Sequence, residues 1–451
     1  MRIHDGVCDA ATVLDRTSGN WSPHSKIRSE KIWRQPAQQV ELKGLYMYSQ
    51  GFSHLVAYGL STVLLAAAAL VSIPAMVGQA GLTGWGSVAA GQAVGAIASI
   101  IISYGWGVSG PATIAVSSPK ERLIEFRSSV GFRLLLLAVV LSTACVGAGI
   151  ITGTSWGLGV LGCLSTGIVA MTNGWYFVGA GMPWTAFNLE TIPRVTSTFL
   201  ATWLMTEGVS VQVGLGLITA GSVVAALLSS LSIFHSLRLT GQSGSKRKFS
   251  EILRVQRSSV SVGLVGAMYS YLPVVAIGAV YPPILGSFAL VDKVQKQAAS
   301  GLAPILNFLQ GWVPRAPEGT LHKRIRSAAY GSFLGGVLIV GIFILGGGVL
   351  LDWLSLGTSV EGPIVVGLLG ATVGLTFMES IISRACVVPL LGTKSLSRST
   401  AAGSAVGLIL LIPFALVAGT AGALLAIMVG LIIRVIVLIY MVHKVLKSEA
   451  R

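Results

Sequence analysis

The chain has 451 residues, of which 53% are hydrophobic and only 10% are charged. Soluble domains carry roughly 25% charged residues on average, so this composition excludes an ordinary soluble globular protein. Runs of about 20 apolar residues suit helices that cross the bilayer and satisfy their own backbone polar groups. The composition therefore predicts an all-α, polytopic integral membrane protein.

The first 47 residues are polar and basic and show no hydrophobic periodicity. They lack the apolar segment that a secretory signal requires. We interpret residues 1–47 as a disordered cytoplasmic tail, with translation from Met47 as the alternative.

Long apolar runs follow this tail, and no charged residue occurs between Lys43 and Lys120 or between Arg133 and Glu190. Each run is long enough for two membrane crossings and a turn. The fifth predicted span is short and begins beside Pro193. Hydropathy and Gly/Pro positions predict twelve spans near residues 52–77, 85–110, 132–152, 156–180, 193–208, 212–236, 259–281, 284–311, 328–350, 362–384, 399–418 and 421–443.

The Lys and Arg residues predict the orientation of these spans. With the N-terminus in the cytoplasm, the tails and the cytoplasmic loops hold every Lys and Arg outside the spans, and the outer loops hold none. This distribution follows the positive-inside rule. We expect a multi-pass cell membrane protein with both termini in the cytoplasm. The net charge of +15 then reflects topology, and we expect no nucleic-acid partner.

A weak internal repeat appears at an offset of 206 residues, where Pro111 aligns with Pro317 and Pro183 with Pro389. Transporters are often built from such repeats. The repeat predicts two six-helix lobes with the same direction of entry into the membrane. The predicted regions are a lobe at 48–237, a basic cytoplasmic linker at 238–257, a lobe at 258–446 and a cytoplasmic tail at 447–451.

Three sets of residues along the chain form a pattern: Tyr104-Gly105-Trp106 with Gly110-Pro111-Ala112, Trp175-Tyr176-Phe177-Val178-Gly179-Ala180-Gly181, and Asp292-Lys293 ahead of Trp312-Val313-Pro314. This pattern resembles the polysaccharide and oligosaccharide flippases, whose superfamily also contains the multidrug and toxic compound extrusion transporters. The resemblance covers residues 48–446. It implies a two-lobe transporter that moves a polyprenyl-pyrophosphate-linked oligosaccharide to the outer leaflet by alternating access.

The resemblance also implies the partners of the chain. They are the lipid-linked oligosaccharide, the lipid bilayer, and proteins of glycan polymerisation and export. It implies no cofactor and no enzymatic activity.

Charged residues inside the spans are the candidate substrate-binding residues, because each is costly in hydrocarbon unless it faces a cavity or a partner. Asp292 and Lys296 are one helical turn apart and can neutralise each other, which leaves Lys293 in surplus. A surplus ammonium suits a pyrophosphate, and a guanidinium can add a bidentate contact. The candidates are Asp292, Lys293, Lys296, Glu379 and Arg434.

Alternative roles for these residues stay open. The two lysines can instead serve helix–helix pairing. Arg434 can pair with Glu379, or it can extend its guanidinium toward the headgroups.

Three other functions are weighed against the flippase. Cation-coupled multidrug exporters of the same superfamily hold a carboxylate in the first or seventh span, and both spans are free of charge here. A membrane enzyme acting on polyprenyl glycans needs clustered carboxylates, whereas Glu121 and Glu125 alternate with Lys120, Arg122 and Arg127, which is typical of a solvated face. A lipid or peptidoglycan-precursor flippase with fourteen spans requires two more spans than the sequence predicts.

Overall fold

The structure is a computed structural model that describes residues 37–238, 249–317, 320–358 and 361–449. These ranges are almost entirely helical and contain no strand, so the all-α prediction is confirmed for them. The helices are α1 Ala37–Ser103, α2 Trp106–Val116, α3 Pro119–Leu136, α4 Ser142–Thr152, α5 Trp156–Gly167, α6 Gly174–Ala180, α7 Pro183–Ala186, α8 Ile192–Thr206, α9 Val211–Arg238, α10 Phe249–Val280, α11 Leu285–Gly301, α12 Ala303–Trp312, α13 Leu321–Ser355, α14 Pro363–Ile381 and α15 Val388–Glu449.

Short segments of other helix types connect several α-helices. Three are 3-10 helical, at Gly153–Ser155, Ile168–Met171 and Pro282–Ile284. Three are π-helical, at Leu137–Leu141, Phe187–Thr191 and Ile382–Val387. A π-helical turn inserts one extra residue into a helix, and such turns are frequent at functional sites.

The predicted tail and linker lie partly outside the described ranges. Residues 1–36 and 239–248 are outside them, and residues 54–451 form one compact unit. Helix α1 begins at Ala37, within the predicted tail, and α10 begins at Phe249, within the predicted linker. Helix α2 contains Pro111, whereas α12 ends before Pro317. The division into two six-helix lobes stays a prediction.

Seven helical stretches of the described residues are long and apolar enough to cross a membrane. They are Val56–Val116, Pro119–Ala180, Val211–Arg238, Phe249–Val280, Leu321–Ser355, Pro363–Val387 and Thr400–Val442. The first, second and last contain 61, 62 and 43 residues, more than one crossing requires. Two predicted spans, near 193–208 and 284–311, are not among the seven. Helix α8 has 15 residues and α11 has 17. The chain is a multi-pass α-helical membrane protein.

Glycines in the left-handed region divide the three longest stretches at the positions where the sequence predicts outer turns. Gly81, Gly153 and Gly419 have φ values of 69°, 53° and 57°, which L side chains rarely adopt. Gly208 and Gly357 make similar turns, with φ values of 94° and 71°. We call the side of the bundle with these five turns the glycine end, and the opposite side the basic end.

An apolar cluster of the glycine end contains residues from both halves of the chain. Trp85 and Met205 belong to the same buried cluster as Leu290, Leu354 and Leu369. Nearer the basic end, one cluster contains Phe126 and Trp175, and a separate one contains Leu306 and Ala385. The two halves of the chain are therefore packed together at the glycine end.

Helices α1 and α11 approach closely in this region at two glycines. A Cβ atom added to Gly86 would lie 2.9 Å from the backbone nitrogen of Gly286. Real Cβ contacts are essentially never so short, so larger side chains at this crossing would separate the two helices.

Candidate substrate-binding cavities

Two cavities lie between the helices, and α11 contributes to both. Val291 and Val294 of α11 pack in the apolar cluster of the glycine end. Lys296 and Ser300 follow on the same helix and line cavity walls. The cavities therefore lie on the basic side of that cluster.

The larger cavity has a volume of about 600 Å³, and we call it the charged cavity. It is enclosed by α10, α11, α14, α15 and the π-helical turn Ile382–Val387. The five candidate residues all line this cavity, although their sequence positions span more than a hundred residues. Its ionisable and aromatic wall residues are Tyr269, Tyr271, Asp292, Lys293, Lys296, Glu379, Arg384 and Arg434.

Two carboxylates of the charged cavity pair with two of its cations. Lys296 Nζ lies 2.5 Å from Asp292 Oδ2 and 4.6 Å from the ring centroid of Tyr271. Arg434 donates to Glu379 Oε1 at 2.6 Å, and its guanidinium carbon lies 4.8 Å from the ring centroid of Tyr269. Two of the alternative roles given for these residues, a local Asp292–Lys296 pair and a Glu379–Arg434 pair, are therefore present in the structure. Both pairs face the cavity.

Lys293 has a neutral partner. Its Nζ donates to Gln92 Oε1 of α1 at 3.1 Å, which connects the first half of the chain to α11. Arg384 also lines the charged cavity and is exposed. Four cations and two carboxylates among the lining residues leave this cavity with a surplus of positive charge.

The smaller cavity has a volume of about 380 Å³ and is enclosed mainly by α1, α5, α8, α9 and α11. We call it the hydroxyl cavity. Lys293, Gln297 and Ser300 of α11 line both cavities. Arg194 of α8 is a further cation in this wall. The hydroxyl-bearing residues of the cavity are Thr62, Ser72, Ser165, Thr166, Thr198, Ser222 and Ser300.

The sequence interpretation missed several of these residues. Arg194 and Arg384 lie at the cytoplasmic ends of the fifth and tenth predicted spans, where a cation fits the positive-inside distribution and does not indicate a binding site. Gln92, Tyr269 and Tyr271 carry no signal that separates them from other polar residues of a span. The Pro193-Arg194 step at a helix start is the one feature that could have drawn attention to Arg194.

A buried cluster in the first half of the chain also contains an arginine. Arg133 donates to the carbonyl oxygens of Ala170 and Thr172 at 2.9 Å each, and to Asn173 Oδ1 at 2.6 Å. The Asn173 backbone N–H donates to Glu190 at 2.5 Å. Arg133 and Asn173 do not line either cavity, so this cluster fixes the packing of α3 and α9 around a non-helical step.

Comparison with proteins of known structure identifies the fold of this chain. No protein-family model and no curated protein matches the sequence. The structure is similar to that of the lipid II flippase MurJ in an inward closed conformation, with a TM-score of 0.62. The match covers 87% of each chain at 13% sequence identity. The chain therefore shares the fold of this flippase.

Two transporters of multidrug and toxic compound extrusion match with lower scores. The eukaryotic transporter AtDTX14 has a TM-score of 0.48 at 13% identity, over 87% of this chain and 95% of the other. The Vibrio cholerae transporter VcmN has a TM-score of 0.44 at 16% identity, over 89% and 97% of the two chains. The flippase match agrees with the sequence resemblance at the level of the fold.

Proposed function

We propose that this protein is a flippase that moves a polyprenyl-pyrophosphate-linked oligosaccharide from the cytoplasmic to the outer leaflet of the cell membrane. The observation that carries the proposal is the surplus of positive charge in the charged cavity. Buried charges without compensation are unfavourable, and a pyrophosphate supplies that compensation when it binds. The flippase fold is consistent with such a lipid-linked substrate.

The contacts in the charged cavity suit a ligand that enters and leaves. Lys293 is held by one neutral amide oxygen, so a phosphate oxygen can replace Gln92 with a stronger, charge-assisted hydrogen bond. Lys296 and Arg434 are each held by one carboxylate and can share their remaining donors with phosphate oxygens. In this arrangement Asp292 and Glu379 keep the empty cavity from carrying four uncompensated cations.

Loading takes place from the basic end in this proposal. The apolar cluster closes the glycine end, whereas the cavities lie on the basic side of it. The positive-inside distribution of Lys and Arg places the basic end and both termini in the cytoplasm. A lipid-linked glycan that is assembled in the cytoplasm reaches the cavity from that side, and glycan polymerisation and export proteins receive it on the other.

The cation-coupled multidrug exporter is less well supported. A cavity with surplus positive charge repels the cationic compounds that such an exporter carries, and its two carboxylates are already paired. No specific arrangement among the described residues favours a membrane enzyme, and the described ranges hold no cluster of three or more metal-ligating side chains.

The test is a flipping assay with purified full-length protein in liposomes that contain a fluorescent polyprenyl-pyrophosphate oligosaccharide. We expect the double variant Lys293→Gln and Lys296→Gln to flip roughly 100-fold more slowly, because two charge-assisted contacts are lost. The corresponding Arg variants should keep partial activity because the positive charge remains. Lys323→Gln, an exposed position on α13 outside both cavities, is the matched control and should flip at the normal rate.

The same liposomes also test the competing function. Normal flipping by the double glutamine variant, at matched reconstitution, would contradict the proposed site. Absence of flipping by the unmodified protein, together with uptake of a cationic dye driven by an ion gradient, would favour the exporter.

A further inference from the structure

The hydroxyl cavity differs from the charged cavity in the hydrogen bonds that its side chains can still make. Six of its Ser and Thr hydroxyls donate their hydrogen to a backbone carbonyl within the bundle. The contacts run from Thr62 to Tyr58, Ser72 to Ala69, Ser165 to Gly162, Thr166 to Gln92, Thr198 to Arg194 and Ser222 to Ile218, at 2.7 to 3.3 Å.

A hydroxyl that has donated its hydrogen keeps its oxygen lone pairs as acceptors. The wall of the hydroxyl cavity therefore offers acceptors to any ligand with O–H or N–H groups. Ser300 adds another, since its hydroxyl donates to the Lys296 carbonyl at 3.0 Å. The charged cavity also has hydroxyls in its wall, but it differs in its four cations, whose ammonium and guanidinium groups are donors only.

One buried donor of the hydroxyl cavity has no partner among the described residues. Trp85 lines the cavity and is 1% exposed, and its indole N–H makes no hydrogen bond there. A buried donor without an acceptor is unfavourable, so a ligand oxygen within reach would be stabilised. Together with Arg194, this donor makes the cavity a poor place for a metal cation or a cationic compound.

We propose that the two cavities bind two parts of one ligand, with the pyrophosphate in the charged cavity and the first sugars of the glycan in the hydroxyl cavity. This assignment rests on the proposed function. Phosphate oxygens only accept hydrogen bonds and suit the four cations of the charged cavity, whereas sugar hydroxyls can donate to the hydroxyl oxygens of the other wall.

The junction between the cavities fits the covalent structure of such a ligand. A pyrophosphate is bonded directly to the first sugar, so the two subsites must adjoin. Lys293, Gln297 and Ser300 of α11 line both cavities and form this boundary. The hydrogen bond from Lys293 to Gln92 lies at this boundary. When a phosphate oxygen replaces Gln92 as the acceptor, the passage between the two subsites opens.

The experiment compares two probes on the purified full-length protein in lipid nanodiscs by calorimetry. One probe is polyprenyl pyrophosphate without sugar, and the other is polyprenyl-pyrophosphoryl-N-acetylglucosamine. We expect the unmodified protein to bind the sugar-bearing probe about tenfold more tightly, because several hydroxyl contacts are added.

The variants separate the subsites. The double variant Thr198→Val and Ser72→Ala removes two acceptors at nearly constant volume and should abolish most of the tenfold difference, without weakening the sugar-free probe. Lys296→Gln should weaken both probes by a similar factor. Thr196→Val is the matched control, since Thr196 is on the same helix, is exposed and also bonds its own helix carbonyl at 2.8 Å; it should change neither affinity.

Each outcome decides the assignment. Equal weakening of both probes by the hydroxyl variant, or an unchanged difference between them, would overturn the sugar subsite. Equal affinity of the unmodified protein for both probes would do the same while leaving the proposed function intact. Failure of the unmodified protein to bind either probe would contradict the proposed function itself.

Discussion

Two arginines are buried in this bundle to a similar degree but have different surroundings. Arg133 is 1% exposed and Arg434 is 7% exposed. Three donor contacts hold Arg133 against two backbone carbonyls and the Asn173 amide, away from both cavities. Arg434 donates to Glu379 and lines the charged cavity. Burial alone therefore does not separate a structural charge from one that can bind a ligand; the access of the charge to a cavity does.

The partners of Arg133 are themselves fixed. Asn173 has no exposed surface, and its side-chain amide donates to Ser229 and Ser230 at 2.9 Å each. Its backbone N–H donates to Glu190, so Asn173 connects its own segment to α3, to α9 and to the π-helical turn Phe187–Thr191. Glu379, by contrast, faces a cavity in which water or ligand can solvate it.

The largest expected effect concerns Arg133, the arginine to which we assign a structural role. Arg133→Gln leaves two backbone carbonyls and Asn173 without their donors, and we expect it to lower the free energy of unfolding by about 3–5 kcal/mol. Arg434→Gln should cost only about 1–2 kcal/mol, because water in the cavity solvates Glu379. Unfolding by SDS in mixed micelles measures both. Equal losses of unfolding free energy for the two variants would contradict the distinction between a structural arginine and a ligand-facing one.

A smaller effect is expected on ligand binding when Glu379, the carboxylate partner of Arg434, is replaced. Glu379→Gln frees Arg434 from its ion pair, so we expect farnesyl pyrophosphate to bind about threefold to tenfold more tightly. Calorimetry on the purified protein measures this change. Glu207→Gln, an exposed carboxyl at the glycine end, is the control. Weaker binding of farnesyl pyrophosphate by the Glu379 variant would indicate that the pair positions Arg434 instead of competing with the ligand.

The smallest effect concerns the aromatic support of Lys296. Tyr271→Leu removes a cation–π contact and should weaken farnesyl pyrophosphate binding about threefold, since the lysine loses part of its positioning. Tyr271→Phe retains the ring and should bind normally. A tenfold or greater loss with the Phe variant would instead assign the role to the phenolic hydroxyl, as a direct contact to the ligand.

The comparison also explains what the sequence could and could not predict. Gly81, Gly153 and Gly419 mark turns because their backbone conformation favours glycine, and hydropathy locates the helices between them. Asp292 and Lys296 are recognisable as a pair because their contact is local, one turn apart. The Glu379–Arg434 pair joins α14 to α15, and the sequence left it as one of two alternatives.

Arg194 and Arg384 could not be assigned to a cavity from helical periodicity. Arg194 follows the π-helical turn Phe187–Thr191, and Arg384 lies within the π-helical turn Ile382–Val387. The extra residue of such a turn rotates every later side chain by about 100° around the helix axis, so a 3.6-residue pattern gives the wrong face. Arg133 was missed for another reason: near a span end, a buried arginine and a cytoplasmic one have the same sequence signature.

The apolar cluster at the glycine end has a thermal consequence for a transporter that opens there. Separating Trp85 and Met205 from Leu290 and Leu354 brings apolar surface into contact with water, which gives the opening step a positive heat-capacity change. The driving force that keeps this end closed is entropic near room temperature and weakens on cooling. Under the proposed function, the free energy of opening at this end should vary with temperature along a curve, and the apolar contribution to closure should decrease on cooling.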